Sequence, residues 1–224
     1  MTTASSILRL VLVPSLVALA VTLLRLTGEL MAWPYPLVNS APCGKAILGV
    51  VWLVPIAGVY FAVKVRALEA PPPLFGRLFL YAAAGLAMKL AGTALMEMHG
   101  RYAPRLLGNF ALTMAGVVLS ALAWPRLFQL LLAYGYASRL PVAVVTFLAM
   151  RGHWGTHYDA LDPGFPAIRF WPTFLRVSFV PNIFFMEAYT VIVGLLFAGL
   201  WLAAGRAWYA LAIKVKAKPR RFKV

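Results

Sequence analysis

Apolar residues run along this chain in six long blocks, and most of the charged residues fall between the blocks. A helix needs about 20 mostly apolar residues to cross about 30 Å of hydrocarbon. Taking the charges as fence posts predicts spans over approximately 5–25, 46–63, 78–97, 106–125, 127–150 and 177–205, with a basic tail over 206–224. The second block sits cleanly between Lys45 and Lys64, and the fourth between Arg105 and Arg126. The first is short between Arg9 and Arg25, so its helix begins near Ser5, lets Arg9 snorkel, and has room to continue past Arg25 toward Trp33. The alternation of a β-barrel is absent, as is any internal repeat. The pattern predicts an all-α, polytopic transmembrane helix bundle of about six spans, forming one integral membrane domain over 1–224.

The connections are punctuated by helix breakers. Trp33-Pro34-Tyr35-Pro36 and Pro42-Cys43-Gly44 interrupt the first, and Pro71-Pro72-Pro73 stiffens the second. The longest runs from Arg151 to Arg176 and holds Pro163, Gly164, Pro166 and Pro172. Its aromatic residues Trp154, Tyr158, Phe165, Phe170, Trp171 and Phe174 suit a membrane–water interface. Ala18-Leu19-Ala20 has the form of a signal-peptide cleavage site, but the apolar run continues through Leu24, so a retained first span is expected.

Composition agrees with this picture. Of 224 residues, 62% are hydrophobic and 12% charged, against about 25% charged in a soluble domain. The 21 Lys and Arg outnumber the 6 Asp and Glu, for a net charge of +15. Because the cations border apolar spans and gather in the tail, the expected partners are membrane lipids with anionic headgroups and protein partners in the membrane, not nucleic acid. The cluster Lys214, Lys216, Lys218, Arg220, Arg221 and Lys223 places the C-terminus, and with six spans the N-terminus, in the cytoplasm. The single cysteine, Cys43, excludes an internal disulfide and a four-thiolate zinc site.

Polar groups inside the spans come next, because a central charge costs about 2.5–3.5 kcal/mol on insertion scales. Lys89, Arg139 and Glu187 are the expected buried charges. Lys89, Thr93 and Glu97 share one helix face, and Asn109, Thr113, Gly116 and Ser120 share another. These stripes are expected to face each other or a common interior as helix–helix contacts.

The segment His153-Trp154-Gly155-Thr156-His157-Tyr158-Asp159, with Asp162 close behind, is the densest chemistry in the chain. His153, His157 and Asp159 are candidate ligands for a divalent metal such as zinc, and Glu97 or His99 would complete the site. The candidate catalytic residues are Glu97, His99, Asp159 and Glu187. Arg151, Arg169 and Arg176 are candidate holders of an anionic headgroup. No H-E-x-x-H motif is present, and no histidine is central in a span, where haem-binding bundles carry theirs. Phosphate-binding loops, dinucleotide fingerprints and nucleophile elbows are also absent. Three functions remain, in this order: a membrane enzyme acting on a lipid or phosphate-bearing amphipathic substrate at the interface, a non-catalytic subunit of a membrane complex, and a small transporter.

Overall fold

Backbone amides have no partner in hydrocarbon, so apolar blocks of this length close their hydrogen bonds within a helix. The computed structural model describes residues 4–42, 44–68, 75–99, 102–161 and 169–216. Its elements, in order, are α1 (Ala4–Leu30), a 3₁₀ turn (Val50–Trp52), α2 (Leu53–Leu68), α3 (Phe75–Glu97), α4 (Tyr102–Ala123), α5 (Pro125–Gly152), α6 (Phe170–Phe174), two π-helical stretches (Leu175–Phe179 and Pro181–Met186) and α7 (Glu187–Lys216). There is no strand among the described residues. Among the described residues six stretches are long and apolar enough to cross a membrane: Ile7–Leu30, Val50–Ala67, Gly76–Glu97, Tyr102–Ala123, Pro125–Gly152 and Phe170–Trp208. The protein is therefore a multi-pass, all-α membrane protein. Cys43, the triple proline at 71–73, Asp162, the loop residues through Ala167 and Ile168, and the tail beyond Lys216 lie outside the described residues.

Two boundaries differ instructively from the charge-based spans. The first helix does not stop at Arg25, because Arg25 is neutralised one turn later by Glu29, with Nε 2.9 Å from Oε1. The last stretch begins at Phe170 rather than 177, as α6 and the π-helical turns run without a break into α7. Between α4 and α5 a single residue, Trp124, makes the joint, and Pro125 at the first position of α5 ends the preceding helix.

The core is centred on α7, which packs against α2, α3, α4 and α5, while α1 lies mainly along α5. Over the most apolar window, 56% of the α7 stretch is buried against 17% of α1, so α7 is the axial helix and α1 a peripheral one. Phe61, Leu78, Leu127, Leu131, Leu195 and Ala198 fill the centre. Close approach of backbones sets the geometry. A Cβ at Gly58 of α2 would run into the Gly194 backbone of α7, and a Cβ at Gly116 of α4 would come within 2.8 Å of the Gly85 carbonyl of α3.

The fourth-helix stripe behaves as expected, since Asn109, Thr113, Gly116 and Ser120 are all buried. Thr113 donates to Asn109 Oδ1 at 3.2 Å and Ser120 to the Gly116 carbonyl at 3.0 Å, so their hydroxyls are satisfied within the helix. The stripe meets Gly85 and Gly92 of α3. The charged third-helix stripe does something else. Lys89 donates to Thr93 Oγ1 at 3.2 Å and rests 5.5 Å from the Phe185 ring centre, and Glu97 is exposed at the helix end.

These contacts predict that Gly58→Ala destabilises the bundle by about 1–3 kcal/mol through overpacking. The melting temperature in detergent should fall by about 2–4 °C for each kcal/mol. Gly205→Ala, where a Cβ meets open space, should leave it unchanged. Equal melting temperatures for both variants would argue against the close α2–α7 approach.

Candidate functional site

One end of the bundle gathers the connection after α1, the loop after α5 and the π-helical turns around a cavity of about 940 Å³. The loop after α5 starts where the helix is stopped. His153 takes the left-handed conformation (φ 50°, ψ 56°) and caps α5, its N–H bonding the Ala149 carbonyl. Gly155, at φ 71°, supplies the second turn that a larger residue would resist. Asp159 then folds back and accepts from the Gly155 N–H at 2.9 Å, the Thr156 N–H at 2.7 Å and the Thr156 hydroxyl at 2.7 Å. This aspartate is a loop-building residue.

His157 is held from α1. Its backbone N–H donates to Glu29 Oε2 at 2.8 Å, and its Nδ1 lies 2.6 Å from Oε1 and 2.8 Å from Oε2 of the same carboxyl. Glu29 also receives Arg25 Nε, while Arg25 donates through its other arm to the Gly44 carbonyl at 2.8 Å. Tyr158 lies beside His157, tilted to it by 46° with 3.9 Å between ring centres, and donates its hydroxyl to the Thr22 carbonyl at 3.3 Å. Arg25, Glu29, His157 and Tyr158 thus form one network tying the end of α1 to the loop. An anionic carboxylate only accepts, so the proton of a neutral imidazole sits on Nδ1, and Nε2 is left as the basic nitrogen.

Burial pushes the His157 imidazole below its ordinary range, against the opposing pull of the Glu29 hydrogen bond. Burial alone would raise the Asp159 carboxyl, but the Thr156 hydroxyl and the two backbone N–H groups outweigh it and hold the group low. Burial also raises the Tyr158 phenol, so it stays protonated.

The cavity wall carries four cations, Arg25, Lys45, Arg139 and Arg176, together with His157, and no carboxylate among its described lining residues. Thr22, Thr146, Ser178 and Asn182 add polar groups, and Val50, Trp52, Val142, Leu161, Val177 and Met186 add apolar surface. The inner wall is the π-helical run. Such wide turns release backbone and side chains from regular helical spacing and occur often at functional sites.

The residues singled out by sequence are dispersed. Among the described residues no three of His, Cys, Asp and Glu come together to hold a metal ion. His153 is exposed as a helix cap, His157 is committed to Glu29 and Asp159 to its own turn. Glu97 and His99 are exposed at the end of α3 and do not line the cavity. Arg151 lies 5.0 Å from the Phe170 ring centre and outside the cavity lining, and Arg169 is exposed beside α6. Arg176 does line the cavity, and its guanidinium lies 5.4 Å from the Tyr102 ring centre.

Of the three expected buried charges, Arg139 and Glu187 are each 3% exposed, whereas Lys89 is half-buried. Only Arg139 of the three lines the cavity. Glu187 packs where Gly135 leaves room: a Cβ at Gly135 would occupy the space of its carboxyl. The residue that sequence reasoning missed is Glu29. Its signal was present, as one of only 6 acidic residues and four places after Arg25.

As pH falls from about 7 to 5, an unfolded loop takes up a proton at His157 that the folded loop resists, and below about pH 4 the same holds for Asp159. Loop stability therefore drops with falling pH in both windows. Amide hydrogen exchange over 153–161, corrected for intrinsic rates, should show more opening at about pH 5 than at 7.5. His157→Gln should flatten this difference. Equal protection of the unmodified protein at both pH values would refute the predicted pH dependence.

Comparisons with protein-family models, with characterised proteins and with solved structures find no match to this chain.

Proposed function

We propose that the protein is a membrane-embedded enzyme acting on a lipid or other phosphate-bearing amphipathic substrate at the membrane interface. The observation that carries this reading is the cavity itself: four cations and His157 on a wall that is otherwise largely apolar, with no carboxylate among the described lining. Such a wall suits an anionic headgroup attached to an apolar body. Arginine and lysine near the mouth attract the headgroup, and the apolar residues accept the chain beside it.

His157 is the candidate catalytic base. Glu29 holds its ring and fixes the proton on Nδ1, which leaves Nε2 to take a proton from water or a substrate hydroxyl as its oxygen bonds phosphorus; the P–O bond to the departing alcohol breaks, and the imidazolium returns the proton to that leaving oxygen. The imidazole is neutral near pH 7 because burial lowers its proton affinity, and a neutral imidazole is the form a general base needs. Arg25 donates to the same carboxylate, so Glu29 has a cation beside it while it orients the ring.

The test is headgroup release from a panel of phosphate-bearing lipids by the purified full-length protein in detergent. His157→Gln should lower turnover by about 10²–10⁴-fold with little change in KM. Glu29→Gln should lower it less, by about 10–100-fold, as expected for a residue acting through the histidine. Melting temperatures run in parallel identify any loss of fold. Absence of turnover on every lipid, or turnover indifferent to His157→Gln, would overturn the proposal. Equal turnover of deacylated headgroups would move the substrate from lipid to soluble phosphoester.

A further inference from the structure

Two polar groups on the cavity wall are buried and have nothing to bond. Arg139 is 3% exposed, and its Nε has no hydrogen-bond partner. Ser178 is 1% exposed, and its Oγ is likewise unpartnered. Both line the same cavity, one from α5 and one from the π-helical wall. A buried donor left unmade costs about 1–3 kcal/mol, and more for a charged group. Native structures tolerate such groups chiefly where a ligand, water or ion completes them.

The surroundings keep these groups in place without satisfying them. Ser138, next to Arg139 in sequence, turns its hydroxyl to the Gly135 carbonyl at 2.9 Å. Asn182 anchors its amide on the Ser178 carbonyl at 3.0 Å, which fixes that stretch of wall. Glu187 lies within electrostatic reach of Arg139, yet neither of its oxygens makes a hydrogen bond. Its space is opened by Gly135, one helical turn from Arg139. The guanidinium thus has a counter-charge that makes no hydrogen bond to it, and its Nε has no partner.

We infer that Arg139 and Ser178 form a buried oxyanion subsite at the inner end of the cavity, which receives the anionic group of the amphipathic substrate. This rests on the reading of the cavity as a substrate site and adds where the charge goes. At 1.5 Å per residue, Arg139 lies about 20 Å along α5 from the end of that helix at Gly152. Because Arg139 is buried, an anion held on it is shielded from the screening solvent at the mouth. A guanidinium and a hydroxyl suit the oxygens of a singly charged group such as a phosphodiester or carboxylate. Mouth cations such as Lys45 then guide the anion in, and Arg139 holds it.

The experiment is a binding titration of the full-length protein in non-ionic detergent with dihexanoyl phosphatidylglycerol, a singly charged phosphodiester lipid. At 0.1 and 0.5 M salt the affinity should differ by less than about threefold, because buried pairs are screened far less than exposed ones. Arg139→Lys keeps the charge and removes Nε and the planar fork, and should weaken binding at least tenfold. The double variant Arg139→Gln with Glu187→Gln removes both charges together, and should weaken it similarly. Ser178→Ala should weaken it about 3–10-fold. Lys45→Gln tests the mouth as the competing location and should weaken binding no more than about threefold.

If both Arg139 variants and Ser178→Ala bind as the unmodified protein does, the inference falls while the cavity reading stands. Loss of binding with Lys45→Gln or with salt alone places the anion at the mouth and also overturns it. If the Arg139 variants fail to fold, unchanged affinity in Ser178→Ala is decisive against it. Failure of the unmodified protein to bind the lipid at either salt concentration overturns the proposed function, and this subsite with it.

Discussion

Hydrocarbon offers no hydrogen bonds, and this constraint organises the molecule. Every backbone amide in the six spans must be closed within a helix, and every side-chain hydroxyl must find a carbonyl nearby. The hydroxyls of Thr22, Thr93, Ser120, Thr173 and Thr190 each bond back to the carbonyl four residues earlier. With polar groups satisfied locally, helices can associate only by fitting together, and the glycines at 58, 85, 116 and 194 provide the fit. The exceptions stand out against this background. Among the described residues Ser15, Arg139, Ser178 and Glu187 hold buried polar atoms that the protein does not satisfy, and of these Arg139 and Ser178 line the cavity.

The fold class and the span count were legible because lipid imposes a length and a hydropathy on each helix, and both are local properties of the sequence. The polar stripe of α4 was legible for the same reason, since helical periodicity alone puts Asn109, Thr113, Gly116 and Ser120 on one face. The site was only partly legible. The segment 153–159 stands out in the sequence for its His and Asp residues, but the partner of His157 lies at Glu29, far away in sequence. No local pattern links them. His153 and Asp159 attracted notice as ligand types, yet the local backbone uses one as a cap and the other as a turn. A carboxylate next to free N–H groups bonds to them before it reaches for anything else.

Charges misled in one instructive place. Arg25 looks like the end of a span if each cation is counted alone. Four residues later Glu29 cancels it, and the pair together is no barrier to the helix. The same pair then becomes the outer part of the site. A charge that is costly alone is tolerated at membrane depth when its partner is built into the same helix, and such pairs are worth reading as a unit.

The Glu29–His157 contact joins residues 128 positions apart. Chains emerge from the ribosome N-terminus first, at about 5–20 residues per second. Glu29 therefore enters the membrane long before its histidine exists, with Arg25 as its early companion. The site can close only after the first five helices are in place. Assembly of this pocket is thus among the last events of the protein's biogenesis, and a chain cut short before residue 157 would present α1 with its acid still waiting.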